Sequence, residues 1–290
     1  GMGLGTVGRL AAAGVRRGAE GTQVAIPPLV QTFPHLDVVD TYEIQLLNIR
    51  RRLAAGATVY GHKVGLSSKA MQEMMGVDEP DYGHLLSDMV YTEDEAIPTG
   101  KFLLPRVEVE VGFILGEDLP GEGCTVADVL RCTDFIAPAI ELIDSRIADW
   151  KIGLFDTISD NASSCGVILG KERVKPDELD LKAIEATLDI NGARVAEGRS
   201  DAVLGDPTIA VAWLANKVAP FGVRPEAGHV VLPGSCTRAY DVTPGPQALA
   251  PCTGPGSVSL SCSHGTPPIG QQPTAATLGP RHPGTSPPPP

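Results

Sequence analysis

From Val107 to Ile114 two kinds of residue take turns. Val107, Val109, Val111 and Phe113 fall on one parity, and Glu108, Glu110, Gly112 and Ile114 on the other. Successive side chains of a strand point to opposite faces. This segment therefore predicts a strand with one aliphatic face for a core and a second face bearing two carboxylates. Residues i and i+2 of a strand lie roughly 7 Å apart at the backbone, and flexible side chains can bring two such carboxylates onto one cation. Glu141 lies in a second apolar run, Phe135 to Ile143, between Ile140 and Leu142. An isolated carboxylate there carries a desolvation penalty, so it calls for a partner. Three carboxylates around one site favour a hard divalent ion such as Mg²⁺ or Mn²⁺. An ordinary half-exposed strand also reads Val-Glu-Val-Glu-Val, and on this pattern alone that plainer reading is favoured.

Other elements are marked by periodicity and punctuation. After Asp37, the residues Val38, Val39, Tyr42, Leu46, Ile49 and Leu53 recur at steps of three and four, an amphipathic helix with an N-cap. Arg50, Arg51 and Arg52 near its end suit the helix dipole. Asp206-Pro207 opens a second helix that Gly222 closes, and residues 126–136 predict a third. Phe135 to Ile143, Cys165 to Leu169, Ala186 to Ile190 and His229 to Leu232 read as strands, and Asn191-Gly192 as a hairpin turn. Strands outnumber helices without regular alternation. The prediction is an α+β fold with a β-rich core and flanking helices.

Three zones differ in composition. Residues 1–23 form a Gly-, Ala- and Arg-rich irregular leader, and residues 24–262 a single globular domain, the one on which the candidate catalytic residues below fall. Residues 263–290 are a Pro-rich tail too poor in apolar surface to order itself. The net charge of −12 repels phosphate backbones, which argues against a nucleic-acid partner. No apolar run reaches the roughly 20 residues a bilayer span needs, and no secretory signal is present. Six cysteines without any C-x-x-C pair read as reduced thiols of a cytoplasmic protein.

Several segments could carry chemistry, and each has a plainer explanation. Lys63 sits between Gly61 and Gly65, which would allow close backbone or ligand approach, but it also fits an exposed strand end. Asp78 to Gly83, including Asp81, reads as a solvated acidic loop. Asp160-Asn161-Ala162-Ser163-Ser164 reads as an Asx or Ser turn. Gly3, Gly5 and Gly8 match the dinucleotide fingerprint but follow no strand, so that reading is rejected. His35, His62, His84 and His229 lack zinc-ligand spacing and read as hydrogen-bonded structural residues.

Taken in order, five segments resemble one family: residues 61–68, 75–83, 105–111, 138–146 and 160–164. They are similar to 2-keto-4-pentenoate (2-hydroxypentadienoate) hydratases of the fumarylacetoacetate hydrolase superfamily. Segments 37–45 and 231–239 add a likeness to the actinobacterial branch of steroid-ring degradation. The resemblance covers about residues 24–245. It implies a mixed β-roll core, a homo-oligomer, and a divalent cation, Mg²⁺ or Mn²⁺, on Glu108, Glu110 and Glu141. It also implies active-site roles for Lys63, Asp81 and Ser163, with Met75 lining the pocket. Lys63 and Ser163 would contact the small anionic dienoate as well. Ketonisation of the dienol would place a proton on C5, and water would then add at C4, with Lys63 and Asp81 handling protons. Association with a sister decarboxylase or a downstream aldolase is a further implication, and no membrane partner is expected.

The resemblance fails at the ends. Where the family has its last strand, this chain reads Ala250-Pro251-Cys252-Thr253-Gly254-Pro255-Gly256-Ser257-Val258, and two prolines remove ladder donors. A disturbed final strand is the expectation. A decarboxylase acting on 2-oxo-3-enedioates is the runner-up activity. Acylpyruvate hydrolysis ranks lower, because residues 63–83 contain no histidine for that branch's His–Glu pair. A non-catalytic partner subunit is the alternative of another class.

Overall fold

The computed structural model describes residues 25–243 and 245–263. The expectations for the leader and the tail lie outside the described residues, apart from Ser263, which ends a strand. Helices among the described residues are α1 (Leu29–Thr32), α2 (Val38–Ala54), α3 (Lys69–Met75), α4 (Val126–Cys132), α5 (Leu154–Ser159) and α6 (Pro207–Val218). The strands are β1 (Val59–Gly65), β2 (Asp81–Leu86), β3 (Val90–Tyr91), β4 (Ala96–Pro98), β5 (Arg106–Leu115), β6 (Thr133–Ile143) and β7 (Ser164–Leu169). Beyond them come β8 (Glu185–Ile190), β9 (Ala193–Arg199), β10 (Val230–Leu232), β11 (Tyr240–Asp241), β12 (Gln247–Cys252) and β13 (Gly256–Ser263).

The caps act where the sequence places them. The Asp37 carboxylate accepts from the Asp40 N–H at 2.8 Å, and α2 buries Tyr42, Ile44, Leu46 and Ile49. The Asp206 carboxylate accepts from the Thr208 N–H at 2.9 Å, Pro207 occupies the first turn, and Gly222 ends the segment at φ 71°. Residues 126–136 do not form one helix. α4 stops at Cys132, because Thr133, Phe135 and Ile136 are taken into register with Leu115, Ile114 and Phe113 on β5. Long-range pairing overrides local periodicity there.

The larger sheet runs β2-β1-β10-β5-β6-β7-β3, with β11 also on β5; the smaller runs β4-β13-β12-β8-β9. Both are mixed, since β1–β10, β3–β7 and β4–β13 pair in parallel and their other ladders are antiparallel. The fold is therefore the expected α+β architecture with a mixed β-roll. Curling of the larger sheet brings β2 against β7. On its outer face Val107, Val109, Val111 and Phe113 join Leu188, Ala250, Val258 and the buried side of α6 in the main core. The inner face splits along its length. Leu85, Ala139, Val167, Val230 and Leu232 form an apolar plug, and the polar residues on those parities gather beyond it.

The final hairpin forms despite its prolines. Ala248, Ala250, Cys252, Val258 and Leu260 are buried, and Pro251 sits opposite Ser257. The lost donor shows on the other side: the β12–β8 ladder pairs Leu249 with Asp189 and resumes only at Cys252 with Ala186. The expected disturbance is thus confined to one gap, flanked by the Thr253 N–H bond to the Glu185 carbonyl at 2.9 Å.

Candidate metal centre and active site

Strand register builds the carboxylate cluster. Glu108 and Glu141 are direct cross-strand partners on β5 and β6, and Glu110 lies two residues along the same face. One oxygen from each lies within 4.8 Å of the others. Glu110 and Glu141 are buried, while Glu108 is partly exposed. Gly234 donates its N–H to Glu110 Oε2 at 2.8 Å, and the Ser164 hydroxyl donates to Glu141 Oε1 at 3.0 Å. Glu110 Oε1 makes no well-formed hydrogen bond, and Glu141 Oε2 meets the Lys63 ammonium at 3.3 Å in poor hydrogen-bond geometry.

Lys63 and Asp81 come from the neighbouring pair of strands. Lys63 pairs with Gly83 and Gly65 with Asp81, so Lys63 and Asp81 are diagonal neighbours on one face. Both glycines of the Gly61–Gly65 segment are needed for space. A Cβ at Gly61 would meet the Val230 carbonyl oxygen at 1.9 Å, and one at Gly65 would meet Asp81 Oδ1 at 2.2 Å and Lys63 Nζ at 3.4 Å. Lys63 Nζ also donates to the Ala162 carbonyl at 3.0 Å. Asp81 is buried, and neither of its oxygens makes a well-formed hydrogen bond.

The segment Asn161–Ser163 has an unusual backbone. Asn161, Ala162 and Ser163 are consecutive left-handed residues, with φ of 58°, 51° and 56°. Such residues cost of order 1–3 kcal/mol each unless their surroundings over-determine them. Here the Asn161 amide bridges the His84 backbone, accepting from its N–H at 2.7 Å and donating to its carbonyl at 2.9 Å. The Ser163 carbonyl accepts from the Asp144 N–H at 2.8 Å. Preceding the turn, buried Asp160 is ion-paired to buried Arg146, whose N–H also donates to Asp160 Oδ2 at 2.9 Å. The Ser163 hydroxyl is buried without a hydrogen-bond partner.

Burial and like charge set the protonation of the cluster. Burial pushes the Glu108 carboxyl up to about 7, against the pull of Lys63 and with the push of Glu141 and Asp81. Burial also raises Glu110 well above the carboxylate range, with Glu141 and Glu108 adding to it. Glu141 is raised by burial against Lys63 and Ser164. Asp81 is raised by burial as well, opposed by Lys63 and by the nearby Thr157 hydroxyl and Gly65 N–H. Burial disfavours the Lys63 ammonium, but Glu141, Asp81, Glu108 and Glu110 outweigh it and hold its pKa above the ordinary lysine value. Three inward carboxylates with an oxygen left over fit a divalent cation: the donors are hard, clustered and otherwise forced to take up protons.

Lys63, Asp81, Glu108, Glu110 and Glu141 thus converge at one end of the roll, and Ser163 follows directly on the Ala162 carbonyl that Lys63 meets. Met75 closes α3, and its side chain lies outside the described residues. Sequence reasoning missed the carbonyl of Ala162, the N–H of Gly234 and the amide of Asn161, because backbone groups and long-range clamps leave no periodic signal. The histidines divide. His84 Nδ1 lies 3.2 Å from Gln45 Oε1 and His229 Nδ1 accepts from the Glu226 N–H at 3.0 Å, but neither nitrogen of His62 has a hydrogen-bond partner. All six cysteines are buried, and none is joined in a disulfide. No helix among the described residues is long and apolar enough to cross a membrane.

Comparison with known proteins gives concordant matches. Residues 58–259 match the model of the fumarylacetoacetate (FAA) hydrolase C-terminal domain. The chain is 45% identical to the 2-oxo-hept-4-ene-1,7-dioate hydratase of Escherichia coli, over 76% of this chain and 85% of that protein. It is 46% identical to a 2-hydroxypent-2,4-dienoate hydratase of Pseudomonas putida, over 68% and 90%. Among solved structures it superposes on the 4-oxalocrotonate decarboxylase of Pseudomonas putida G7, complexed with magnesium and adipate. That match has a TM-score of 0.85 and 33% identity, covering 90% of this chain and 99% of the other.

Proposed function

Because the chain belongs to the fumarylacetoacetate hydrolase family, we propose that it is a metal-dependent hydro-lyase. Its substrate is 2-hydroxypenta-2,4-dienoate or 2-hydroxyhexa-2,4-dienoate, and its product a 4-hydroxy-2-oxo acid of aromatic meta-cleavage catabolism. One observation carries this: three inward carboxylates meet Lys63 and Asp81 over a single short stretch of the roll. Glu108, Glu110 and Glu141 would hold a divalent cation, which when bound supplies Lewis acidity toward the negative charge that develops on the substrate's 2-oxygen. Lys63, kept protonated by its neighbours, offers N–H donors to the bound anion. Asp81, with its raised carboxyl pKa, can accept a proton and return it during ketonisation of the dienol at C5. Water then adds at C4. The Ser163 hydroxyl, with no partner of its own, is available to hold substrate or that water.

The likeness to a decarboxylase structure supports a second reading, loss of carbon dioxide from a 2-oxo-3-enedioate. Purified protein is expected to bleach the dienoate chromophore, to stop when chelated, and to yield a product heavier by one water. A product lighter by carbon dioxide would instead establish the decarboxylase. Unchanged, metal-dependent turnover by a Glu108→Gln, Glu110→Gln double variant would overturn the ligand assignment. The family likeness further supports service in steroid-ring degradation, a homo-oligomer, and contact with a sister decarboxylase or downstream aldolase, and the cysteine usage supports a cytoplasmic location. Sedimentation of the purified chain checks the oligomer.

A further inference from the structure

We infer that Asn161 is a positioning residue whose side-chain amide fixes the left-handed turn that presents the Ala162 carbonyl to Lys63 and the Ser163 hydroxyl to the site. The inference rests on the hydratase reading for what the turn is for, and on geometry for how the turn is held. Asparagine tolerates the left-handed region better than most residues, but alanine and serine do not. Two strained residues therefore follow one that is suited to the conformation. The Asn161 amide then meets β2 as a neighbouring strand would, with Oδ1 on the His84 N–H at 2.7 Å and Nδ2 on the His84 carbonyl at 2.9 Å. β2 also carries Asp81, so a single side chain ties the Ser163 turn to the Asp81 strand. Gly83 makes the approach feasible, because a Cβ there would lie 2.4 Å from the Asn161 carbonyl oxygen and 3.2 Å from its Oδ1. The other ties act at the ends of the turn: the Ser163 N–H donates to the Asp160 carbonyl at 3.1 Å, and the Ser163 carbonyl accepts from the Asp144 N–H. In the middle, the Ala162 carbonyl faces Lys63 Nζ at 3.0 Å, so Lys63 is set partly by where this turn is held.

Two substitutions separate the amide from the backbone. Asn161→Gly keeps the left-handed conformation accessible and deletes the clamp. Asn161→Asp keeps the shape and the acceptor, and regains the donor only when its carboxyl is protonated. With the full chain, Mg²⁺ and 2-hydroxypenta-2,4-dienoate, Asn161→Gly is expected to lower kcat about 10²-fold, the scale of a misplacement near 1 Å. Mn²⁺ affinity measured by electron paramagnetic resonance should change little, whereas KM should rise with the displaced Lys63 and Ser163 and the melting temperature should fall modestly with the two buried hydrogen bonds lost. For Asn161→Asp, kcat relative to wild type should rise as pH falls. A crystal structure of Asn161→Gly should show the turn shifted and the Lys63 ammonium no longer hydrogen-bonded to the Ala162 carbonyl, with Glu108, Glu110 and Glu141 in place. Wild-type kcat in Asn161→Gly, an unmoved turn, a pH-independent Asn161→Asp ratio, or a parallel loss of Mn²⁺ binding and melting temperature would each overturn the inference. If the wild-type chain turns over no dienoate, the functional reading fails alone, and the crystal structure still decides the role of Asn161.

Discussion

Gly61 and Gly65 bracket the same lysine, yet their missing side chains serve different ends. At Gly61 the obstacle is backbone: an added methyl meets the Val230 carbonyl oxygen at 1.9 Å, on the strand paired in parallel with β1. At Gly65 the obstacle is functional: the methyl meets Asp81 Oδ1 at 2.2 Å and approaches Lys63 Nζ. Gly61→Ala is therefore expected to separate β1 from β10 and lower the melting temperature, with activity following the folded fraction. Gly65→Ala should instead leave melting nearly unchanged and lower kcat/KM by about 10²-fold, because the Asp81 carboxylate has to turn away. Thermal melts and steady-state kinetics on the two variants check the contrast, and equal loss of stability in both would refute it. The spacing of these glycines around Lys63 was legible as a demand for close approach. What approaches was not, because Val230 and Asp81 are brought in by pairing that local sequence does not specify.

At the level of elements, three adjacent strand segments place histidines together. His62 on β1 is the register partner of His84 on β2, and His229 immediately precedes β10; the His62 ring centroid lies 5.1 Å from that of His84 and 5.6 Å from that of His229. Burial, reinforced by the other two rings, holds His62 well below the ordinary histidine value; burial and His229 push His84 down to about 4. Burial also lowers His229, against Glu226 and Asp118. A histidine with a depressed folded pKa contributes no pH dependence above about 6.5, where it is neutral folded and unfolded. As pH falls below that, the unfolded chain takes up protons first, so stability drops by at most about 1.4 kcal/mol per pH unit for each such group. His62→Leu should therefore lose less stability than wild type between pH 7 and pH 5 in chemical denaturation, and an unchanged slope would remove the histidines from the acid limb. Elements differ in the same way in what they reveal beforehand. The capped helices α2 and α6 and the two-faced strand β5 could be read locally, since cap, period and terminator all lie within each segment. The end of α4 at Cys132 and the survival of the 247–263 hairpin could not, because pairing with β5 settles the first and pairing with β8 and β4 the second.

For the molecule as a whole, the consequence of gathering β5 and β6 carboxylates inside the roll is that proton uptake, cation binding and stability become linked. Alternation places Glu108 and Glu110 on one face, and the family resemblance joins Glu141 to them, but the direct opposition of Glu108 and Glu141 is set only by the β5–β6 register. Burial and like charge push the Glu108 carboxyl up to about 7 and raise Glu110 well above the carboxylate range. These folded-state values lie above the ordinary carboxylate range. Their stabilising contribution is therefore complete below about pH 4.3 and is lost as pH rises through 7. A divalent cation competes with those protons for the same oxygens, so its binding releases protons and tightens as pH rises. It also stabilises the fold by an amount that grows with the ratio of free cation to Kd. Titration calorimetry with Mg²⁺ or Mn²⁺ in buffers of different ionisation enthalpy should show net proton release at pH 6 that shrinks by pH 8. The cation-induced rise in melting temperature should be larger at pH 8 than at pH 6, and both effects should vanish in Glu108→Gln, Glu110→Gln. Cation binding with no proton release at pH 6 would mean that these glutamates are ionised before the ion arrives, and with that the linkage between the site and the stability of the roll would fall.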